Sequence, residues 1–221
     1  MKEIKLENIE HRSAQRTDAL EHFRAVQESY AEVVEYLPDF LGMNKWTIER
    51  HEQYLSRLGS STSGVRNYFF FYEGKLVGSG HLKPGAWNYS GELLYWVRTG
   101  WDGLGIGMHI ADTMSKHAHK HLGYRFVIIE TDKENLGSRR IAEKSGFHLA
   151  LVYGHIDHLG RNRNMAVWVK EAPMTKMAAR FDSSYQFDPV SLFLPLRYRS
   201  ATDQIISAYM KPESSGGSPR G

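Results

Sequence analysis

Between Trp101 and His109 the chain runs Asp102-Gly103-Leu104-Gly105-Ile106-Gly107-Met108, with glycine at three alternate positions just ahead of a helical pattern. Glycine carries no Cβ, so such a loop leaves its backbone N–H groups uncovered, and a helix starting there adds the positive end of its dipole. An anion cradle of this spacing suits a diphosphate; the plainer alternative is a flexible strand-to-helix connection. No Gly-Lys-Ser/Thr follows the loop, so a nucleoside-triphosphate P-loop is absent. His117, His119 and His121 crowd one helix, the first and last four apart. No glutamate adjoins His117 to make a zinc-protease motif, and a lysine-flanked solvated face accounts for them, so no metal is expected. With no cysteine anywhere, disulfides, thiolate metal sites and a cysteine nucleophile are excluded.

The elements that must position this loop follow from periodicity. From Thr17 onward Leu20, Phe23, Val26, Tyr30, Val33, Val34 and Leu37 recur at helical spacing until Pro38. Thr47 is the expected N-cap of a second helix that buries Ile48, Tyr54, Leu55 and Leu58 and stops at Gly59. Tyr68 to Tyr72 is a strand by aromatic density, Glu73-Gly74 a turn, and Lys75 to Lys83 its antiparallel partner. Glu92 to Val97 is a third strand, feeding the glycine loop and a helix from about Met108 to Leu122 that buries Ile110, Ala111, Met114, Ala118 and Leu122. The unalternating run Phe126-Val127-Ile128-Ile129 predicts a strand covered on both faces and central in the sheet, leading to Glu130, Thr131 and Asp132. A short helix over Leu136–Lys144 and a last hairpin, Leu149–Ile156 with Met165–Val169, complete the order.

A dinucleotide-binding fold would use the same strand, loop and helix, with Glu130 imitating the acid that binds a ribose. It needs repeated strand-helix-strand crossovers, whereas antiparallel hairpins stand before and after the loop, so topology disfavours it.

Composition sets the remaining bounds. At 221 residues, with 41% hydrophobic and 24% charged, the chain reads as one ordinary globular domain plus a tail. A net charge of +3 with both signs interspersed does not specifically imply a nucleic-acid partner. Met1 to Glu10 is charged and no apolar run approaches membrane-span length, so a cytoplasmic protein with no membrane contact is expected. We expect a domain over residues 1–170, an extension over 171–211 and a disordered tail over 212–221. Val190-Ser191-Leu192-Phe193-Leu194 is too apolar for a free linker and suggests docking on the domain or a homodimer.

Over roughly Ile9 to Lys170, the order of elements and motifs resembles the GNAT superfamily of acyl-CoA N-acetyltransferases. The glycine loop is similar to that family's Q/R-x-x-G-x-G/A signature. Asn135-Leu136-Gly137-Ser138 and Glu143-Lys144-Ser145-Gly146-Phe147 are similar to segments of its ribosomal-protein N-terminal acetyltransferase branch. The resemblance implies a mixed, mostly antiparallel α/β (α+β) sheet with a splayed strand pair and flanking helices. It implies acetyl-CoA as donor, attacked directly by a primary amine without metal or covalent enzyme intermediate. The acceptor would be a protein N-terminus by branch, or a polyamine, aminoglycoside or other small amine.

The resemblance also places roles. Backbone of Tyr95, Trp96 and Val97 would pair with the pantetheine arm and offer an oxyanion donor; Asp102, Gly103, Leu104, Gly105, Ile106, Gly107 and Met108 would hold the diphosphate; Asn135 and Ser138 would reach the cofactor, Ser138 beside the sulfur. The amine's base is Glu92, the first choice, or Glu130, unless each is an ordinary strand-end acid. The family's usual tyrosine acid is replaced by Ala142, and its usual Gln or Arg by Asp102, whose charge Arg98 or the Arg139–Arg140 pair could offset unless they are solvated surface arginines. Trp87, Tyr89, Tyr95 and Trp96 border an acceptor pocket or simply pack in the core. These departures motivate the alternative of a non-catalytic acyl-CoA sensor or scaffold.

Overall fold

The computed structural model describes residues 4–59, 65–85, 89–157 and 159–172. Seven strands form one sheet: β1 (Glu10–Ser13), β2 (Arg66–Tyr72), β3 (Lys75–Pro84), β4 (Ser90–Val97), β5 (Phe126–Asp132), β6 (His148–Ile156) and β7 (Asn162–Glu171), in the spatial order β1-β2-β3-β4-β5-β7-β6. Every neighbouring pair is antiparallel except β4 with β5. The four helices are α1 (Ala19–Val33), α2 (Ile48–Gly59), α3 (Ile106–His121) and α4 (Leu136–Lys144). The extension and tail beyond Ala172, including Val190–Leu194, lie outside the described residues. No described helix is long and apolar enough to cross a membrane.

The period of two along each strand splits the core into layers. Phe70, Val77, Leu93 and Ile129 face Ile110, Met114 and Ala142 of α3 and α4, whereas Phe69, Phe71, Leu76 and Trp96 face Val26 and Leu55 of α1 and α2. A third cluster, Ile128, Val167 and Val169, continues the α1/α2 face toward β6. β5 lies inside the sheet with Val127, Ile128 and Ile129 all buried, as its unalternating run predicts.

Three expectations need adjustment. β1 escapes periodicity because Glu10-His11-Arg12-Ser13 is wholly polar and exposed; its pairing with β2 across the sheet edge makes it a strand. The inner face of α1 is only partly its apolar series: Val26 is buried and Val33, Val34 and Leu37 are half-buried, but Ala19, His22, Ala25 and Ser29 fill the rest of it while Leu20 is 45% exposed. Polar anchors set this rotation, since Arg98 reaches Glu21 at 2.6 Å and Glu28 at 2.7 Å, and Ser29 Oγ accepts the Thr99 N–H at 3.0 Å. Finally, α3 starts at Ile106, two residues before the expected Met108, so Gly107 belongs to the helix and not to the loop. A Cβ on Gly107 would stand 2.4 Å from Ile141 Cδ1, so this glycine lets α3 approach α4.

Candidate active site

The site begins where two parallel strands part. β4 and β5 pair only at Ser90–Phe126, Gly91–Val127 and Glu92–Ile128, yet β4 continues to Val97 and β5 to Asp132. From Leu93 to Val97, β4 keeps β3 as its neighbour on one side. Its backbone N–H and C=O groups turned the other way face an opening instead of a strand, able to pair with an extended ligand as a further strand would.

The glycine loop stands at the wide end of this opening. Gly103 and Gly105 adopt φ of 75° and 82°, the left-handed region that other residues enter at a cost. Gly105 precedes the first turn of α3 with no side-chain cap. From Gly103 to Met108 no backbone N–H has an acceptor among the described residues, while the Trp101 and His109 amides on either side are satisfied by Arg98 and Gly105 carbonyls. These groups, at a helix N-terminus, fit a phosphate-bearing ligand. Leu104, Ile106 and Gly107 contribute backbone only, because Leu104 and Ile106 pack into the α3 core and Gly107 touches α4.

Asp102 turns its carboxylate back to accept the Gly100 N–H at 3.2 Å. Burial raises its pKa, the Gly100 hydrogen bond opposes that rise, and neighbouring Glu32 adds to it. The suggestion that Arg98 offsets Asp102 does not hold: Arg98 is buried and committed to Glu21, Glu28 and the Leu76 carbonyl. Arg139 donates to the Lys133 carbonyl at 3.0 Å, and Arg140 is exposed.

Across the opening, Asn135 Oδ1 accepts the Ser138 N–H at 3.0 Å and so caps α4. Ser138 Oγ lies 2.9 Å from the Tyr95 hydroxyl, tying α4 to β4 over the gap. Burial pushes Tyr95 up to about 12, the Ser138 hydrogen bond acting against it, so the phenol keeps its proton at neutral pH. Tyr95 was expected to contribute backbone; the structure adds its hydroxyl. The signal was alternation, which puts Leu93, Tyr95 and Val97 on the α3/α4 face. Ala142, where the family's acid would stand, is buried in that core. Trp96 packs at 81° on Phe40 in the α1/α2 layer, so its side chain does not reach the opening's α3 face. Tyr89 is exposed and lies off the cleft lining, and Trp87 is outside the described residues.

The opening continues into a cleft of about 630 Å³ between β4, β5, the end of α1 and the β6–β7 hairpin. Glu92, Glu130, Tyr95, Asn135 and Ser138 all line it. By alternation Glu92 and Glu130 project from the sheet face opposite Tyr95. Glu92 is paired with Lys83 at 3.0 Å, and Glu130 accepts a hydrogen bond from the Tyr153 hydroxyl. The lining also carries Glu32, Glu35, Asp39, Asp132 and Asp157, against Lys83 and Arg163 as its lysine and arginine. Arg163 ties Glu35 of the α1 end to Asp132 and Asp157, and Arg161 joins both Glu35 and Asp157. Sequence reading missed this lattice, because its members lie up to 128 residues apart.

The mixed sheet thus parts at its centre, with uncovered helix-start amides at the mouth and an acidic cleft beyond. Residues 11–148 match the family model described as Acetyltransferase (GNAT) domain, and the chain belongs to that family. Among solved structures it is similar to the RimL ribosomal L7/L12 alpha-N-protein acetyltransferase in complex with coenzyme A, at 15% identity and TM-score 0.66, covering 74% of this chain and 94% of that one. It is also similar to the microcin C7 self-immunity acetyltransferase MccE in complex with acetyl-CoA and AMP (16%, TM-score 0.67, 77% and 96% covered). A third is the ribosomal-protein-S5-alanine acetyltransferase from Vibrio fischeri (13%, TM-score 0.64, 79% and 98% covered). At these identities the likeness is one of fold. No curated protein matches the sequence.

Proposed function

We propose that this protein transfers an acetyl group from acetyl-CoA to a cationic primary amine by direct attack in a ternary complex. The observation that carries the reading is the parting of β4 from β5 beyond Glu92–Ile128, beside amides that lack acceptors from Gly103 to Met108. In this reading the cradle holds the diphosphate and backbone of Tyr95–Val97 aligns the pantetheine arm. Bound acetyl-CoA supplies a thioester carbonyl, and a free N–H of β4 would face its oxygen. Asn135 and Ser138 line the same cleft, and the linked hydroxyls of Tyr95 and Ser138 would return a proton to the departing sulfur.

The amine enters from the other face of the sheet. There Glu92 or Glu130 takes its proton, directly or through water, so that an uncharged nitrogen attacks. The excess of carboxylates over bases along the cleft supports a cationic acceptor, because an ammonium group exchanges its hydration for negative neighbours. A protein N-terminal amine agrees with the resemblance of Asn135–Ser138 and Glu143–Phe147 to the ribosomal-protein branch, and a polyamine or aminoglycoside is the small-molecule counterpart. We take the transferase domain to end near Lys170, with the remaining chain an extension.

Thiol release from acetyl-CoA, followed across a panel of peptides and small amines, tests the reading. Turnover with at least one amine is expected, and Glu92→Gln and Glu130→Gln separate the base, whose loss lowers turnover about 100-fold with CoA affinity retained. Saturable acetyl-CoA binding with no thiol release from any amine would favour the sensor alternative; no binding at all would remove both.

A further inference from the structure

A second cavity, of about 250 Å³, lies between β1, β2 and the later turns of α3 and shares no lining residue with the cleft. His11 of β1, Tyr68 of β2, and Lys116, His117, Lys120 and His121 of α3 form most of its wall. Five of these six are basic, and the lining contains no carboxylate. We propose that this cavity is a binding site for a small phosphate-class oxyanion, separate from the acyl-carrier cradle.

The rings are arranged as a wall and not as a ligand sphere. Tyr68 meets His117 edge-on at 5.2 Å between centroids, His117 meets His121 at 5.1 Å, and His11 lies 6.1 Å from Tyr68. Among the described residues no set of three or more His, Asp or Glu side chains is placed to hold a metal. Two ammonium groups beside the imidazoles would moreover repel a cation. An oxyanion uses the same groups well, since Lys116 and Lys120 bring charge, imidazole N–H groups bring directed donors, and the Tyr68 hydroxyl, 3.4 Å from His117 Nε2, brings a neutral one.

The positive charge has no internal counterweight. None of His11, Lys116, His117, Lys120 or His121 is in an ion pair among the described residues. The nearest acid along α3, Asp112, is engaged by Lys170 at 3.2 Å. On β1 the neighbour Arg12 is held by Asp18, and Glu10 acts on Arg12. Burial lowers the His117 pKa, and His121, Arg66 and His11 lower it further. His109, about two turns before His117 on α3, has its pKa lowered by burial, by His11 and by Lys116, with Asp112 alone opposing. An entering oxyanion relieves this repulsion by placing negative charge among these groups.

The test titrates inorganic phosphate and, separately, phenyl phosphate into the full chain saturated with CoA, at constant ionic strength, with histidine ring resonances as readout. Saturable shifts at His117 and His121 are expected with at least one of the two at a fixed pH. The Lys116→Gln/Lys120→Gln double variant should bind about tenfold more weakly with CoA affinity unchanged. Tighter binding of phenyl phosphate assigns an organic phosphate packed on Tyr68, and equal binding assigns the free ion. No saturation at these rings with either anion, or equal affinity in the double variant, overturns the proposal.

Discussion

Lowering the pH from 7.5 to 5.0 should weaken the fold, because imidazoles are sealed between α1, α2 and the sheet. His22 is buried and its Nδ1 lies 2.9 Å from Nδ1 of His51, so one ring donates and the other accepts. Phe69 and Tyr54 stack on His22 at 5.3 and 5.8 Å. Burial, then the charges of His51 and His81, lowers the His22 pKa from 6.5 to about 3. His81, bonded to Asn67 and Ser79, is lowered by burial to about 4. A histidine whose folded pKa is depressed stabilises fully above its unfolded value near 6.5 and progressively less as pH falls toward the folded value. Between 6.5 and 5.0 about 1.5 units are crossed, each worth about 1.4 kcal/mol, so each ring costs about 2 kcal/mol at pH 5.0 and the two together about 4. Against a typical domain stability of about 5–15 kcal/mol this is a large fraction. Urea unfolding followed by tryptophan fluorescence at intervals from pH 7.5 to 5.0 measures it, with His22→Asn expected to remove about 2 kcal/mol of the loss whatever its effect at pH 7.5. Stability that stays level across this window, or a slope unchanged in both His22→Asn and His81→Asn, would refute the argument. Glu28, Glu35 and Glu49, whose pKa values are lowered, act only at more acid pH.

Replacing Arg98 by Met should cost about 3 kcal/mol in urea unfolding, since it removes the buried guanidinium that pairs with Glu21 and Glu28 and donates to the Leu76 carbonyl. Gly107→Ala should lower Tm by forcing Ile141 aside, with a cost of about 1–3 kcal/mol, and Ile141→Ala in the same chain should recover part of it because Cδ1 is the atom in the way. Tyr95→Phe and Ser138→Ala should each reduce thiol release about 100-fold while calorimetric CoA affinity stays within about twofold. With Tyr95 at about 12, no loss of turnover from its ionisation is expected up to about pH 10.

The glycines at 103 and 105 were legible because a left-handed backbone and an uncovered amide are properties of the residue itself. Thr47 capping the Arg50 N–H at 3.3 Å, the hairpin turning at Glu73-Gly74, and the buried run in β5 were legible for the same reason, each resting on neighbours a few residues apart. The register of Glu92 against Ile128 was not, although it sets where the sheet opens. Nor were β1, the rotation of α1 onto Ala19, His22, Ala25 and Ser29, and the withdrawal of Arg98 from Asp102.

The sequence alone thus determined the local conformations: which segments coil, which extend, and where the amides of a helix start would lie bare. Tertiary structure alone decided which charges meet. Glu35 with Arg163, Tyr95 with Ser138, and His11 and Tyr68 with the basic end of α3 come together only after distant segments pack. Backbone preference is encoded within a turn or two of chain, whereas Coulomb and hydrogen-bond partners act over a few ångströms of space irrespective of separation in sequence.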